Sequence, residues 1–142
     1  MINFIIEASK NFVTHQMREK AEKSNIKIET KNDSIYTFID VNYLGSSLQV
    51  HINYEKNVLS QITLLMLGEE DDSLESLTEM ALETTNMLVG SAKVLAEESS
   101  QSCTISTPHK SDKTTFENIN QNDFTQIIIN NTLAFSILIN EN

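Results

Sequence analysis

The sequence predicts an α+β fold, a layer of helices against an antiparallel sheet, from two observations. Isoleucine, tyrosine and valine alternate with polar residues over 34–42 and 47–54, and similar runs return at 125–130 and 133–139. Between them lies one long helical periodicity, with Leu74, Leu77, Ala81, Leu88, Ala92 and Leu95 on a single face. Strands that come in runs and are bounded by helices form such layered domains.

Each element has its own signal. Residues 3–22 read as an N-terminal helix with Ile5, Ala8, Phe12 and Val13 inward. Strands follow at 25–30, 34–42 and 47–54, turned at Asn32-Asp33 and at Leu44-Gly45-Ser46. A short helix spans 56–67, its inner face made of Val58, Ile62, Leu65 and Met66, and Gly68 stops it. The acidic run Glu69-Glu70-Asp71-Asp72 precedes the long helix of 72–98. It lacks the glycine and alternating oxygen ligands of a calcium loop, so it reads as a helix start, with Asp72 or Ser73 as the cap and Asp72 with Glu75 as a capping box. Strands are expected at 102–107, 125–130 and 133–139, the last two joined at Asn130-Asn131, and 113–119 is a candidate strand. No linker, repeat or low-complexity tract divides residues 1–142, which read as one domain.

Composition excludes several classes. Ten basic residues against twenty acidic give a formal charge of −10, without the basic footprint that nucleic acid or an anionic membrane surface requires. No run approaches a membrane span and no leader pattern is present, so the cytoplasm is the expected compartment. The lone Cys103, in a strand-like setting, reads as a small buried hydrophobe. His15, His51 and His109 are scattered and lack the spacing of a zinc site. With three glycines, Gly45, Gly68 and Gly90, there is no phosphate-cradling loop, and no Gly-x-Ser-x-Gly elbow.

The long helix carries the candidate site. At about 100° per residue, Glu79, Glu83, Asn86 and Gly90 fall within about 60° of one another, opposite the apolar stripe. A glycine in mid-helix costs about 1 kcal/mol relative to alanine, which points to a close approach by another backbone there. Taken alone, Glu83 and Asn86 are ordinary solvated residues of an amphipathic helix.

Their context adds more. Glu83-x-x-Asn86, followed by Met87-Leu88-Val89-Gly90-Ser91-Ala92-Lys93, resembles the signature helix of the CheC/CheX/FliY phosphatases of bacterial chemotaxis. The single copy of the motif and the order of elements are most similar to CheX. That family's pattern is Asp/Ser-x-x-x-Glu-x-x-Asn with a proline some two dozen residues on. Here Glu79 replaces the leading Asp/Ser, and Pro108 follows Asn86 after 21 intervening residues, one short of the family spacing. The likeness runs from the first helix through the Leu67-Gly68-Glu69-Glu70 turn to Pro108, and beyond that matches only in strand pattern.

The resemblance implies a phosphatase for the aspartyl phosphate of a CheY-like receiver. By this resemblance Asn86 positions the attacking water and Glu83 pairs with the receiver's active-site lysine. It also implies no cofactor of the chain's own, Mg2+ held by the receiver, and a homodimer. The competing expectation keeps the fold without catalysis, as a receiver-binding adaptor or flagellar switch component, and rests on Glu79 and the spacing to Pro108. A third, an accidental Glu-x-x-Asn match in a structural protein, predicts no receiver binding.

Overall fold

The computed structural model describes residues 1–24, 33–119, 123–129 and 132–141. Helix α1 (Ile2–Phe12) runs into a π-helical turn (Val13–Met17), followed by strands β1 (Ala21–Ser24), β2 (Ile35–Tyr43) and β3 (Ser46–Tyr54). Helices α2 (Lys56–Leu67) and α3 (Leu74–Glu98) come next, then β4 (Cys103–Ile105), β5 (His109–Lys110) and the short α4 (Lys113–Glu117). Strands β6 (Asp123–Ile129) and β7 (Thr132–Glu141) complete the order. Among the described residues every strand pairing is antiparallel, in the order β1-β6-β7-β3-β2-β4, with β5 also on β2. The fold is α+β, as the sequence predicts.

The sheet has two unlike faces. Residues at 35, 37, 39 and 41 of β2, 48 to 54 by twos of β3, and 135, 137 and 139 of β7 lie in register on one face. Their side chains form the main core with α1, α2 and α3. The opposite face is more polar, carrying Asp40, Gln49, His51, Asn53 and Ser136, with a small cluster of Tyr36, Phe116 and Leu138 beneath α4. At the β2–β3 hairpin, Leu44 and Gly45 both take positive φ (52° and 82°), the pair of values a two-residue type I′ turn needs.

The expected helix over 3–22 is shorter than its periodicity suggests. At its end the N–H of Arg18 reaches back to the Val13 carbonyl, Arg18 turns left-handed (φ 56°), and β1 begins three residues later. The wide turn keeps Val13 and Met17 buried while releasing the chain toward the sheet. The candidate strand at 113–119 is instead α4. The Asp112 carboxylate accepts the Thr115 N–H at 2.8 Å, and Phe116 packs its ring 5.5 Å from Tyr36. The outer edge of β2 is already taken by β4 and β5, so no pairing partner remained for that segment on β2.

Helix α2 matches its expected span, and Gly68 ends it at φ 76° with its N–H on the Leu64 carbonyl. Its inner face differs, comprising Val58, Leu59, Ile62 and Thr63, while Leu65 and Met66 are exposed. The capping box is not formed. Ser73 is the N-cap and accepts the Ser76 N–H at 3.3 Å. Asp71, not Asp72, braces the turn by accepting from the Ser76 hydroxyl at 2.6 Å and the Ser73 N–H at 3.1 Å. Those bonds hold the Asp71 carboxyl below its ordinary value. The expected strand at 25–30, residue Asn32 and the Asn130-Asn131 turn lie outside the described residues.

On the polar face, Phe38 stacks against His51 at 5.6 Å and packs against His109 at 5.3 Å. His51 is buried, with its Nε2 3.2 Å from Gln49 Oε1 and its Nδ1 without a partner. Gln49 Nε2 in turn donates to Asp40, so its Oε1 accepts from His51 Nε2–H and the ring is neutral with a bare Nδ1. Burial lowers the His51 pKa, and the Asp40 charge opposes this only in part. Unfolded chain therefore binds the proton more readily than folded chain. Stability is full above the ordinary histidine value of about 6.5 and declines as pH falls from there toward the lowered value. Urea midpoints measured between pH 7.5 and pH 5 should drop for the wild type and drop less for His51→Gln.

Candidate functional site

Helix α3 is 25 residues long, about 37 Å, and packs against the sheet with one side buried. Leu77, Ala81, Leu88, Ala92 and Ala96 are buried, Leu95 is half-buried, and Leu74 protrudes with 64% of its surface exposed. Leu74 precedes the first turn that meets the core, so the periodic stripe overstates the buried face by one residue.

On the opposite side Glu79, Glu83 and Asn86 are all exposed, and Gly90 is half-buried. Among the described residues, neither the Glu83 carboxylate nor the Asn86 amide has a hydrogen-bond or ion-pair partner. Two exposed polar groups three residues apart project from adjacent turns of a rigid rod. Both are free to meet a second molecule without first breaking a bond.

Beside them is a groove of about 710 Å³ between α1 and α3. Phe12, Met66, Met87 and Leu95 give it an apolar floor, and Asn86 and Gly90 lie on its wall. His15, one of the scattered histidines of the sequence, lines the same groove. A volume of this size suits a protein side-chain cluster or a small ligand. Exposed Leu64, Leu65 and Leu67 of α2 carry apolar surface on beyond Met66.

Beneath the motif, the structure contains a feature that sequence reasoning missed. Thr85, in the middle of Glu83-Thr84-Thr85-Asn86, is fully buried, and its Oγ1 lies 2.6 Å from Thr37 Oγ1 and 2.9 Å from the Tyr54 hydroxyl. Thr37 Oγ1 donates to the Ile52 carbonyl at 3.4 Å. That donation leaves Thr37 to accept from Thr85, and Thr85 to accept from Tyr54, so all three protons are used. Burial pushes the Tyr54 pKa up, which keeps its donor proton in place. The available signal was two threonines interrupting an apolar helical stripe, where β-branched polar residues carry a propensity penalty.

The other candidates resolve simply. Cys103 is buried, and burial together with the nearby Glu97 charge pushes its thiol pKa up, away from a nucleophilic thiolate. Among the described residues no group of three or more His, Cys, Asp and Glu side chains could hold a metal ion. No helix among them is long and apolar enough to cross a membrane. Pro108 sits at the break between β4 and β5 on the edge of the sheet, where its missing N–H removes no ladder bond.

Gly90 has room within the chain. A Cβ built there would meet only Ile105 Cδ1, at an ordinary 3.9 Å. Internal packing thus does not explain the glycine. Gly90→Ala should raise stability by about 0.5–1 kcal/mol, read from urea denaturation, because it removes only the helix penalty of glycine.

The family model of the chemotaxis phosphatase CheX matches residues 36–130. No curated protein matched the chain by sequence. Among solved structures, a chemotactic CheC-like protein of Shewanella oneidensis MR-1 superposes with a TM-score of 0.71 at 20% identity, covering 97% of this chain and 96% of its own. The chemotaxis protein CheX of Vibrio vulnificus gives 0.71 at 19% identity, with 96% and 97% covered. The CheX of a CheX–CheY–BeF3–Mg2+ complex from Borrelia burgdorferi gives 0.69 at 13% identity, with 99% and 97% covered. These likenesses establish a shared fold, and the match over 36–130 establishes the family. The chain belongs to the CheX family.

Proposed function

We propose that this CheX-family chain is a protein phosphatase that hydrolyses the aspartyl phosphate of a CheY-like chemotaxis receiver by positioning the attacking water. One observation carries the reading: Glu83 and Asn86 stand exposed and unpartnered, side by side on a rigid helix beside an open apolar groove. The Borrelia structure, a CheX held with CheY, BeF3 and Mg2+, supports a receiver as the partner and supports Mg2+ as that partner's ion.

The chemistry asks little of this chain. An aspartyl phosphate is an activated acyl phosphate, and the receiver supplies the metal and lysine around it. What hydrolysis lacks is a water in line with phosphorus. The Asn86 amide is too weak a base to remove a proton, but it both accepts and donates hydrogen bonds and so can hold that water. Glutamine orients water in the same way in small GTPases. A hundredfold acceleration requires about 2.7 kcal/mol, within the reach of positioning alone.

Glu83 pairs with the receiver's lysine. Once the groove is covered, that ion pair loses solvent, which raises its weight above that of an exposed surface pair. Gly90, on the groove wall, gives the receiver's backbone a place to approach. On this reading the reaction needs no metal or cofactor held by this chain, and residues 1–142 act as one domain in the cytoplasm.

We also read the protein as a homodimer, by family membership. Strands β6 and β7, with the apolar runs Ile127–Ile129 and Phe135–Ile139, are interior to the sheet. Pairing through a sheet edge would fall instead to β1 or to β4 and β5. Sedimentation at tens of micromolar, corresponding to about −7 kcal/mol, should show two copies, and a monomer there would remove the dimer from the reading.

The rival is a receiver-binding adaptor without catalysis, which Glu79 in place of Asp or Ser keeps in view. Phosphate release from a phosphorylated receiver separates the two. Asn86→Ala should abolish accelerated release while leaving binding nearly intact, because the amide acts in the transition state. Glu83→Ala should weaken binding as well, and Glu83→Lys more so, since it sets like charges against each other. Wild-type activity in Asn86→Ala would overturn the mechanism.

A further inference from the structure

We infer that the buried hydroxyl chain Tyr54–Thr85–Thr37 is a positioning device that fixes the roll of α3 and thereby the aim of Asn86. The inference rests on the catalytic reading of Asn86 given above. Thr37 is on β2 and Tyr54 on β3, so the chain ties α3 to two adjacent strands near the middle of the helix.

The rest of the α3–sheet contact cannot do this. The other buried side chains of α3, Thr84 apart, are Leu77, Met80, Ala81, Leu88, Val89, Ala92 and Ala96, whose contacts are apolar and carry no direction. Small residues let a helix sit close to a sheet, but a slight roll costs such contacts little. Hydrogen bonds weaken steeply with angle, so Thr85 supplies the directional term. Among the described residues it is the only α3 side chain hydrogen-bonded to the sheet. Its neighbour Thr84 is equally buried, yet its hydroxyl has no partner.

The leverage follows from helix geometry. Thr85 and Asn86 are consecutive, so their side chains diverge by about 100° from one backbone segment. With side chains reaching about 5–6 Å from the axis, a roll of about 10° moves the Asn86 amide by about 1 Å. A displacement of that size can cost about 100-fold in a reaction that depends on in-line geometry. The hydroxyl chain touches neither water nor partner, so its members are positioning residues and not catalytic ones.

The test compares Thr85→Val, which keeps the volume and loses the hydroxyl, with Thr85→Ser, which keeps the hydroxyl. Tyr54→Phe provides a second way to break the chain should Thr85→Val fail to fold. All are assayed on a phosphorylated receiver at a temperature where circular dichroism shows them folded. Thr85→Val should lose about 10-fold or more in kcat with KM within about twofold of wild type, and Thr85→Ser should recover most of the loss. A purely structural role would lower the melting temperature and leave kcat of the folded enzyme unchanged.

The second readout needs no partner: 15N relaxation of the Asn86 side-chain amide in the free protein. Thr85→Val should increase its motion and Thr85→Ser should not. Unchanged amide order in both Thr85→Val and Tyr54→Phe overturns the inference whatever the kinetics give. If the wild-type protein releases no phosphate, the catalytic reading fails, and the tie between Thr85 and Asn86 is then judged on relaxation alone.

Discussion

The organising constraint is the seating of one long helix against a sheet along a single buried stripe. Leu77, Met80, Ala81, Leu88, Val89, Ala92 and Ala96 are buried along it, with Thr84 and Thr85 near its centre. A helix buried along one side presents the other side to solvent. The same stripe that makes the core therefore sets out Glu83 and Asn86 on the outer surface. α1 packs against α3, and a groove remains between them, lined by Asn86, Gly90 and Leu95 of α3. Groove and motif are both consequences of how α3 is laid down.

The sheet assigns the rest of the molecule to supporting roles. β3 and β7 are flanked on both sides and carry fully buried residues, among them Ile52, Tyr54, Phe135 and Ile137. Tyr54 stands at the end of β3 nearest α2, where an apolar wall from Phe135 and the hydroxyl chain to α3 meet. The far face, with His51 and the α4 cluster, sits across the sheet from the motif. Perturbations there reach Asn86 only through the strands themselves, so acid sensitivity at His51 is separable from the positioning inferred for Thr85.

Much of this was legible in the sequence, and the exceptions share a cause. Hydrophobic periodicity located α2, α3, β2 and β3 to within a residue or two, because each is long and has one buried face. The boundary of the first helix escaped it. Val13 and Met17 continue the inward pattern through a π-helical turn, so burial persists where the α-helix has already ended. Residues 113–119 failed for the opposite reason, since a five-residue helix has too few turns to show a period and only Phe116 is buried. Met66 and Leu65 looked internal because periodicity cannot tell where a helix overhangs its sheet. The exposure of Glu83 and Asn86 could be read from spacing, whereas the hydroxyl chain could not, because Thr37 and Tyr54 are far from Thr85 in sequence.

Perturbed titration, a common guide to catalytic residues, marks structural positions in this molecule. The displaced groups are core and cap residues: Tyr54, Cys103 and His51 by burial, Asp71 and Asp112 by hydrogen bonds at helix starts. A catalyst that supplies neither nucleophile nor general base has no need of a tuned pKa. If the metal, the lysine and the reactive anhydride belong to the receiver, what remains for this chain is geometry, namely an amide at the right height and angle. Such a site is marked by rigidity underneath and vacancy above. α3 has both, with Thr85 bonded inward on one side of the peptide unit and Asn86 unbonded outward on the other. On the proposed reading, buried substitutions around Thr85 would degrade catalysis before they unfold the protein.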